Sequence, residues 1–146
     1  MKDIEKFIWK AKKSTYAKDG DFYEKEGMKY HSFRDGFYRF EDRKIGDQYY
    51  SGQEVIFLEE KPVWTMSYSG GILTDAYESA EIYRFLHQSL MAEERRNTLR
   101  GPSFYQQAQM FYFNEFSGDV ERFNGREYIR IGNKIIYELH YSGGKM

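Results

Sequence analysis

The stretch GQEVIFLEEKPVWTMSYSGG at residues 52–71 recurs as GREYIRIGNKIIYELHYSGG at residues 125–144, an offset of 73 residues. The two stretches align over 20 columns without a gap, and 8 of these columns are identical. Unrelated stretches of average composition would share about one or two identities. The sequence therefore predicts an internal duplication within one domain spanning residues 1–146, with repeat one at about 3–71 and repeat two at about 75–144.

Alternation of apolar and polar residues predicts a hairpin of antiparallel strands in each copy. A helical apolar pattern precedes the strands of each half, which we expect to be one helix followed by three strands. Residues 14–34 fall outside the repeat and could form a long loop or an extra extended segment. The predicted fold class is α+β, an internally duplicated α-β-β-β unit with two helices, antiparallel sheets and pseudo-two-fold symmetry.

Composition and charge exclude several classes of protein. The 146 residues carry 22 basic and 23 acidic side chains, so we expect no direct nucleic-acid binding. The chain has no cysteine, which excludes disulfide scaffolds, thiolate metal sites and cysteine nucleophiles. No long apolar run and no signal-peptide core is present, so we expect a cytoplasmic protein without membrane association.

Glu54 and Glu127 occupy the same column of the two copies, on a strand face that is otherwise apolar. Because burying an isolated charge is costly, each carboxylate needs a hydrogen-bonding partner or a raised pKa. In one interpretation the two meet near the pseudo-two-fold axis as an acid/base pair or a cation site. In the other, each accepts hydrogen bonds from a tyrosine hydroxyl or a strand-end amide within its own half.

Four aromatic residues share the matching face of the last strand of each copy: Trp64 and Tyr68, then Tyr137 and Tyr141. Rings with an apolar body and a polar tip can line a cleft for a planar or hydroxylated ligand. They can equally fill the core between sheet and helices. The core is the preferred interpretation of these four rings, but with 14 Tyr, 12 Phe and 2 Trp the chain has more rings than a domain of this size hides easily, which keeps a cleft open as the alternative.

Other motifs lead us to expect no cofactor and no metal. The doublets Gly70-Gly71 and Gly143-Gly144 lack the further glycines of a nucleotide-binding loop and are interpreted as strand-exit turns. The three histidines have no metal-ligand spacing, and the serine-hydrolase motif Gly-x-Ser-x-Gly is absent. Arg95, Arg96 and Arg100 could bind a phosphate or carboxylate, or could form a solvated helix end.

Several segments resemble a bacterial domain of unknown function. They are Thr15-Tyr16-Ala17, the Gly-x-Glu of each copy, Val63-Trp64-x-Met66-x-Tyr68-x-Gly70, Arg100-Gly101-Pro102 and Tyr137-Glu138-Leu139-x-Tyr141-x-Gly143-Gly144. Members of that family occur alone or fused behind helix-turn-helix regulators of the xenobiotic-response-element type. The resemblance implies a sensor or effector-binding module, and it supplies no catalytic residues.

The leading hypothesis is a non-catalytic binding module with an aromatic cleft between the two repeats. Its ligand would be a small cationic or hydroxylated molecule, and its predicted binding residues are Glu54, Trp64, Tyr68, Glu127, Tyr137 and Tyr141. One alternative is a small hydrolase or isomerase that uses Glu54 and Glu127 as acid and base. Another is a protein-interaction adaptor, in which leftover exposed aromatics support a partner or a homodimer.

Overall fold

The computed structural model describes residues 2–92 and 99–146, which form two helices and one nine-stranded antiparallel sheet. The predicted α+β class is confirmed. The helices are α1 (Lys2–Tyr16) and α2 (Ser79–Met91). The strands are β1 (Asp21–Lys25), β2 (Met28–Asp35), β3 (Tyr38–Gly46), β4 (Tyr49–Leu58), β5 (Lys61–Ile72), β6 (Phe104–Gln107), β7 (Met110–Asp119), β8 (Arg122–Ile131) and β9 (Lys134–Lys145).

The last strands of the two halves meet at the centre of the sheet, whose order is β1-β2-β3-β4-β5-β9-β8-β7-β6. Their register pairs Tyr68 with Tyr141, two residues that are also partners in the sequence alignment. Each hairpin has a register shift at the matching place, after Ile56 in one half and after Ile129 in the other. Residues that align in the two copies thus occupy equivalent positions in the sheet. The descent of both halves from one duplicated unit stays a prediction.

The halves contain more strands than the sequence predicted, because five strands follow α1 and four follow α2. Residues 14–34 form the end of α1, then β1 and most of β2. Both strands lie toward one edge of the sheet, and His31 is the single buried residue within them. Edge strands bury few side chains, so they lack the regular apolar alternation on which the sequence prediction depended.

Both helices pack on one face of the sheet through the predicted apolar stripes. Helix α1 contacts β2 and β3, whereas α2 contacts β6 and β7. The stripes consist of Ile4, Phe7, Ile8 and Ala11 in α1, and of Ile82, Phe85, Leu86 and Leu90 in α2. Neither described helix is long and apolar enough to cross a membrane. The helices therefore cover the inner face of two strands in each half, β2 and β3 in the first and β6 and β7 in the second.

The glycines of the repeat allow close packing rather than turns. Gly52 pairs with Tyr68, and a Cβ added to this glycine would collide with the phenol ring. Gly125 and Tyr141 repeat that arrangement in the second half. The two glycine doublets lie inside β5 and β9, so the predicted strand-exit turns are absent there. The Gly-x-Glu motif thus has a packing cause, namely the tyrosine that covers it.

Candidate functional site

The carboxylate of Glu127 is held by three side chains and is 0% exposed. Arg100 donates from Nε to Oε2 at 3.0 Å and from its second terminal nitrogen to Oε1. Tyr112 donates to Oε2 at 2.6 Å, and Tyr137 donates to Oε1 at 3.0 Å. These contacts match the structural interpretation of the sequence, in which the carboxylate is satisfied within its own half.

Electrostatics tie this cluster together. Burial alone would lower the pKa of Arg100, but the charge of Glu127 and its hydrogen bonds outweigh burial and raise it. Burial, followed by the charge of Glu127, raises the pKa of both Tyr112 and Tyr137. The arginine therefore stays cationic and the tyrosines stay protonated donors. A fully paired carboxylate of this kind stabilises the fold and has no oxygen free for a ligand.

Glu54 holds the position that corresponds to Glu127, but the tyrosine donors are replaced in its half. Ile56 follows Glu54 by two residues on β4, and its partners on the adjacent strands are Phe40 and Trp64. In the second half, the corresponding residue Ile129 has a tyrosine as its partner on each side. Phenylalanine has no donor, and Trp64 donates its Nε1 to the carbonyl of Val120 at 2.9 Å. Among the residues that the structure describes, the buried Oε2 atom of Glu54 consequently has no hydrogen-bond partner.

Lys12 on α1 forms the one ion pair that Glu54 has within the described residues, with Nζ at 3.9 Å from Oε2. This buried ammonium donates instead to the carbonyl oxygen of Leu99. Burial lowers the pKa of Lys12, and the charge of Glu54 opposes that shift. Lys12 thus provides charge compensation at a distance, while no described residue donates a hydrogen bond to the buried carboxylate oxygen.

Asp42 adds a second carboxyl to the same site, because it pairs with Glu54 across β3 and β4. Tyr68 donates to Asp42 Oδ1 at 2.6 Å. The second half has the same hydrogen bond at 2.6 Å, from Tyr141 to the neutral amide of Asn114. Burial, followed by the charge of the neighbouring Glu54, raises the pKa of Asp42 to about 7. The first half therefore has a carboxyl pair where the second has a carboxylate and an amide.

The carboxyl pair lines a cavity of about 380 Å³ between the first half of the sheet, both helices and Arg100. This volume falls within the range of pockets that hold small molecules. Its other walls carry cations and phenol groups: Lys12, Lys18, Lys29, Lys44, Tyr16, Tyr50, Tyr68 and Tyr83. Burial raises the pKa of Tyr83 to about 12, so its hydroxyl is protonated at neutral pH. The cavity can offer both acceptors and donors to a polar ligand.

The structure brings some of the sequence-predicted ligand residues into this cavity and buries the others. Glu54 and Tyr68 line it. Trp64, Glu127, Tyr137 and Tyr141 lie in the interior, with exposed fractions of 0, 0, 0 and 3%. The four rings thus do not form one open cleft between the halves, since three of them fill the core. A ligand-binding role for the six residues stays a prediction.

Sequence reasoning missed Asp42 because the repeat changes offset upstream of Gly52. There the two halves are related by 72 residues, as Gly46-Asp47 and Gly118-Asp119 indicate, and this offset aligns Asp42 with Asn114. Of the three arginines considered, Arg100 binds Glu127, while Arg95 and Arg96 lie outside the described residues. Within residues 2–92 and 99–146, no group of three or more acidic or histidine side chains could hold a metal ion.

Replacing Asp42 by asparagine, the residue of the matched position, is expected to change how stability depends on pH. Its pKa is about 7 in the fold against a usual 3.8, so the folded protein keeps a proton that the unfolded chain loses between these pH values. Wild-type stability should therefore fall as pH rises from about 4 to about 7. Asp42→Asn should lack this decline and be more stable than the wild type by about 1–2 kcal/mol at pH 8. The difference is no larger because the carboxyl is only partly shielded from water.

Urea unfolding of both proteins at pH 5, 6, 7 and 8 measures this difference. Groups such as His31 titrate in both proteins, so the difference between the two curves isolates Asp42. Parallel curves for wild type and Asp42→Asn would show that Asp42 is ionised normally in the fold.

Comparison with known proteins places the carboxyl pair inside a recognised domain. A family model described as a domain of unknown function, DUF5680, matches residues 42–146. The matched region begins at Asp42 and includes Glu54, Tyr68 and the whole second half. No curated protein and no solved structure matches the chain. Fusion to helix-turn-helix regulators stays a prediction from the resemblance.

Proposed function

We propose that this chain, which belongs to the DUF5680 family of domains of unknown function, is a binding module for a small ligand. The ligand presents an ammonium or hydroxyl group to the carboxyls of Asp42 and Glu54 in the 380 Å³ cavity. One observation carries the proposal: the Oε2 atom of Glu54 is buried and receives no hydrogen bond from any residue of the described ranges 2–92 and 99–146. A ligand with a donor group would supply it.

The energetics favour such a ligand. A buried acceptor without a donor costs about 1–3 kcal/mol, and a bound donor group recovers that energy. A cation gains more than a neutral donor, because it also relieves the repulsion between two neighbouring carboxyls. The tyrosine hydroxyls and rings that line the cavity suit an organic cation or a hydroxylated molecule.

The contacts of the second half argue against the acid/base alternative of the sequence analysis. That mechanism needs Glu127 to exchange protons with a substrate, whereas both of its oxygens are occupied by buried donors. The adaptor alternative draws on exposed rings such as Phe37 and Tyr49. These rings do not line the cavity, so the adaptor would use a different surface from the one proposed here.

Titration with butylammonium, ethanolamine and glycerol, followed by NMR chemical shifts, tests the proposal. We expect at least one of these probes to bind and to shift the resonances of Tyr50, Tyr68 and Tyr83. Glu54→Gln removes the charge and should weaken the binding of the amines at least tenfold, the loss expected for about 1.5–3 kcal/mol of charge-assisted hydrogen bonding.

Glu138→Gln is the matched control, because Glu138 lies on the opposite face of the sheet and pairs with Arg126. This variant should bind the probes like the wild type. Absence of binding by all three probes, or equal amine affinity in Glu54→Gln and wild type, would refute a donor-binding role for the cavity.

A further inference from the structure

We infer that the ligand is zwitterionic, with its ammonium group between Asp42 and Glu54 and its anionic group on Lys29 and Lys44. This inference rests on the proposed function, since it assigns a second point of recognition within the same cavity. The anionic group is a carboxylate or a phosphate, either of which accepts hydrogen bonds from paired ammonium groups.

The two lysines form a like-charge pair across neighbouring strands. Lys29 of β2 lies directly opposite Lys44 of β3, and both line the cavity. Like charges placed directly opposite one another destabilise a sheet. In the described part of the chain, neither ammonium has a carboxylate within ion-pair distance. A bound anion would remove the repulsion between them.

The electrostatics of Lys44 are consistent with an anion subsite. Burial lowers the pKa of Lys44; Asp42 raises it, and the neighbouring Lys29 lowers it again. Lys18 and the acid Asp47 also line the cavity. The pair of Lys29 and Lys44 thus gives this part of the cavity two ammonium groups for an anion, next to the carboxyl pair of Asp42 and Glu54.

The strand geometry sets the distance between the two subsites. Lys44 is two residues from Asp42 on the same face of β3, and its partner Gly52 is two residues from Glu54 on β4. A strand rises about 3.4 Å per residue, which separates the two subsites by about 7 Å along the sheet. A ligand of that charge separation has a short methylene chain between its ends.

Aromatic rings occupy the space between the subsites. Tyr68 covers Gly52, so a phenol ring forms the floor there. Tyr50 meets Tyr68 edge to face, with ring centroids 6.0 Å apart. The ammonium of Lys44 lies 5.5 Å from the centroid of Tyr50. Methylene groups would pack on these rings while the charged ends reach the carboxyls and the lysines.

A series of ω-amino acids tests the inference by calorimetric titration of the full chain. The probes are β-alanine, 4-aminobutyrate and 6-aminohexanoate, compared with butylammonium and butyrate. We expect the best amino acid to bind at least tenfold more tightly than butylammonium, with affinity rising as the charge separation approaches about 7 Å. Phosphoethanolamine, compared with β-alanine, distinguishes a phosphate-binding subsite from a carboxylate-binding one.

Lys44→Met should remove the gain in affinity of the best amino acid over butylammonium, so that the two bind alike. Lys29→Met should reduce this gain. Lys29→Met also serves as the second variant if Lys44→Met fails to fold. Lys25→Met is the control, because Lys25 is exposed on β1 and does not line the cavity; it should keep the full gain.

Two results would overturn the inference, and they are distinguishable. If butylammonium binds and no amino acid binds more tightly, the anion subsite is refuted while the proposed function stands. If neither butylammonium nor any amino acid binds, the inference and the proposed function both fail.

Discussion

Glu127→Gln is expected to lower the free energy of unfolding by about 3–5 kcal/mol, because it leaves the buried Arg100 guanidinium without its counter-charge. Arg100 donates twice to this carboxylate, and Tyr112 and Tyr137 donate to it as well. Domains of this size have a total stability of about 5–15 kcal/mol, so the variant should be marginally folded. Urea or guanidinium unfolding, followed by circular dichroism, measures the loss.

Glu54→Gln is the matched control, since Glu54 holds the equivalent place in the first half of the sheet. In the described part of the chain, its Oε2 has no donor, and its ion-pair partner Lys12 lies 3.9 Å away. Removal of this charge should change stability by less than about 1 kcal/mol, or increase it, because the carboxylate gains little from its surroundings.

A third variant keeps this comparison testable if Glu127→Gln does not fold. Tyr112→Phe removes one of the donors to Glu127 and should cost about 1–2 kcal/mol. Similar losses for Glu54→Gln and Glu127→Gln would contradict the asymmetry between the two halves that supports a ligand site in the first.

Gly70→Ala is expected to destabilise the protein by about 3 kcal/mol, the upper end of the usual cost of overpacking. A Cβ at this position would lie too close to the carbonyl oxygen of Glu138 and the Cα of Leu139. These are backbone atoms of β9, so the clash cannot be relieved by a side-chain rotation. Relief requires β5 and β9 to move apart, although this strand pair joins the two halves of the sheet.

Ser69→Ala is the control for this prediction, because Ser69 neighbours Gly70 on β5 and already has a Cβ. Its effect should stay within about 0.5 kcal/mol. Gly143→Ala should behave like Gly70→Ala, since its Cβ would meet the backbone of Thr65 and Met66. If Gly70→Ala is as stable as Ser69→Ala, the central strands do not approach as closely as the structure indicates.

Much of the architecture could be predicted from periodicity. Apolar residues at helical spacing located both helices, and the repeated 20-residue stretch located the two hairpins that form the middle of the sheet. Residues 14–34, for which the sequence allows either a loop or an extended segment, contain β1 and most of β2, whereas β6 was not predicted. The edge strands are β1 and β6, and β2 lies next to β1; all three bury few side chains, so little apolar alternation marks them.

The candidate site was predicted only in part. Glu54 and Tyr68 were singled out because they recur in the second copy, and both line the cavity. The same argument selected Trp64 and Tyr137, which the fold buries. Recurrence identifies residues that share a structural position, but a buried ring and a ligand-contacting ring can hold that position equally well.

The sequence by itself determined the α+β class, the two helices and the paired hairpins, because side-chain periodicity is a local property of the chain. Only the tertiary structure decided which of the two repeated glutamates is satisfied. The donors are Arg100 and two tyrosines on the strands beside β8, and in the first half the two tyrosines are replaced by Phe40 and Trp64. Hydrogen bonding of a buried carboxylate depends on neighbours that are distant in sequence, so two identical residues in one repeated motif acquire different chemistry.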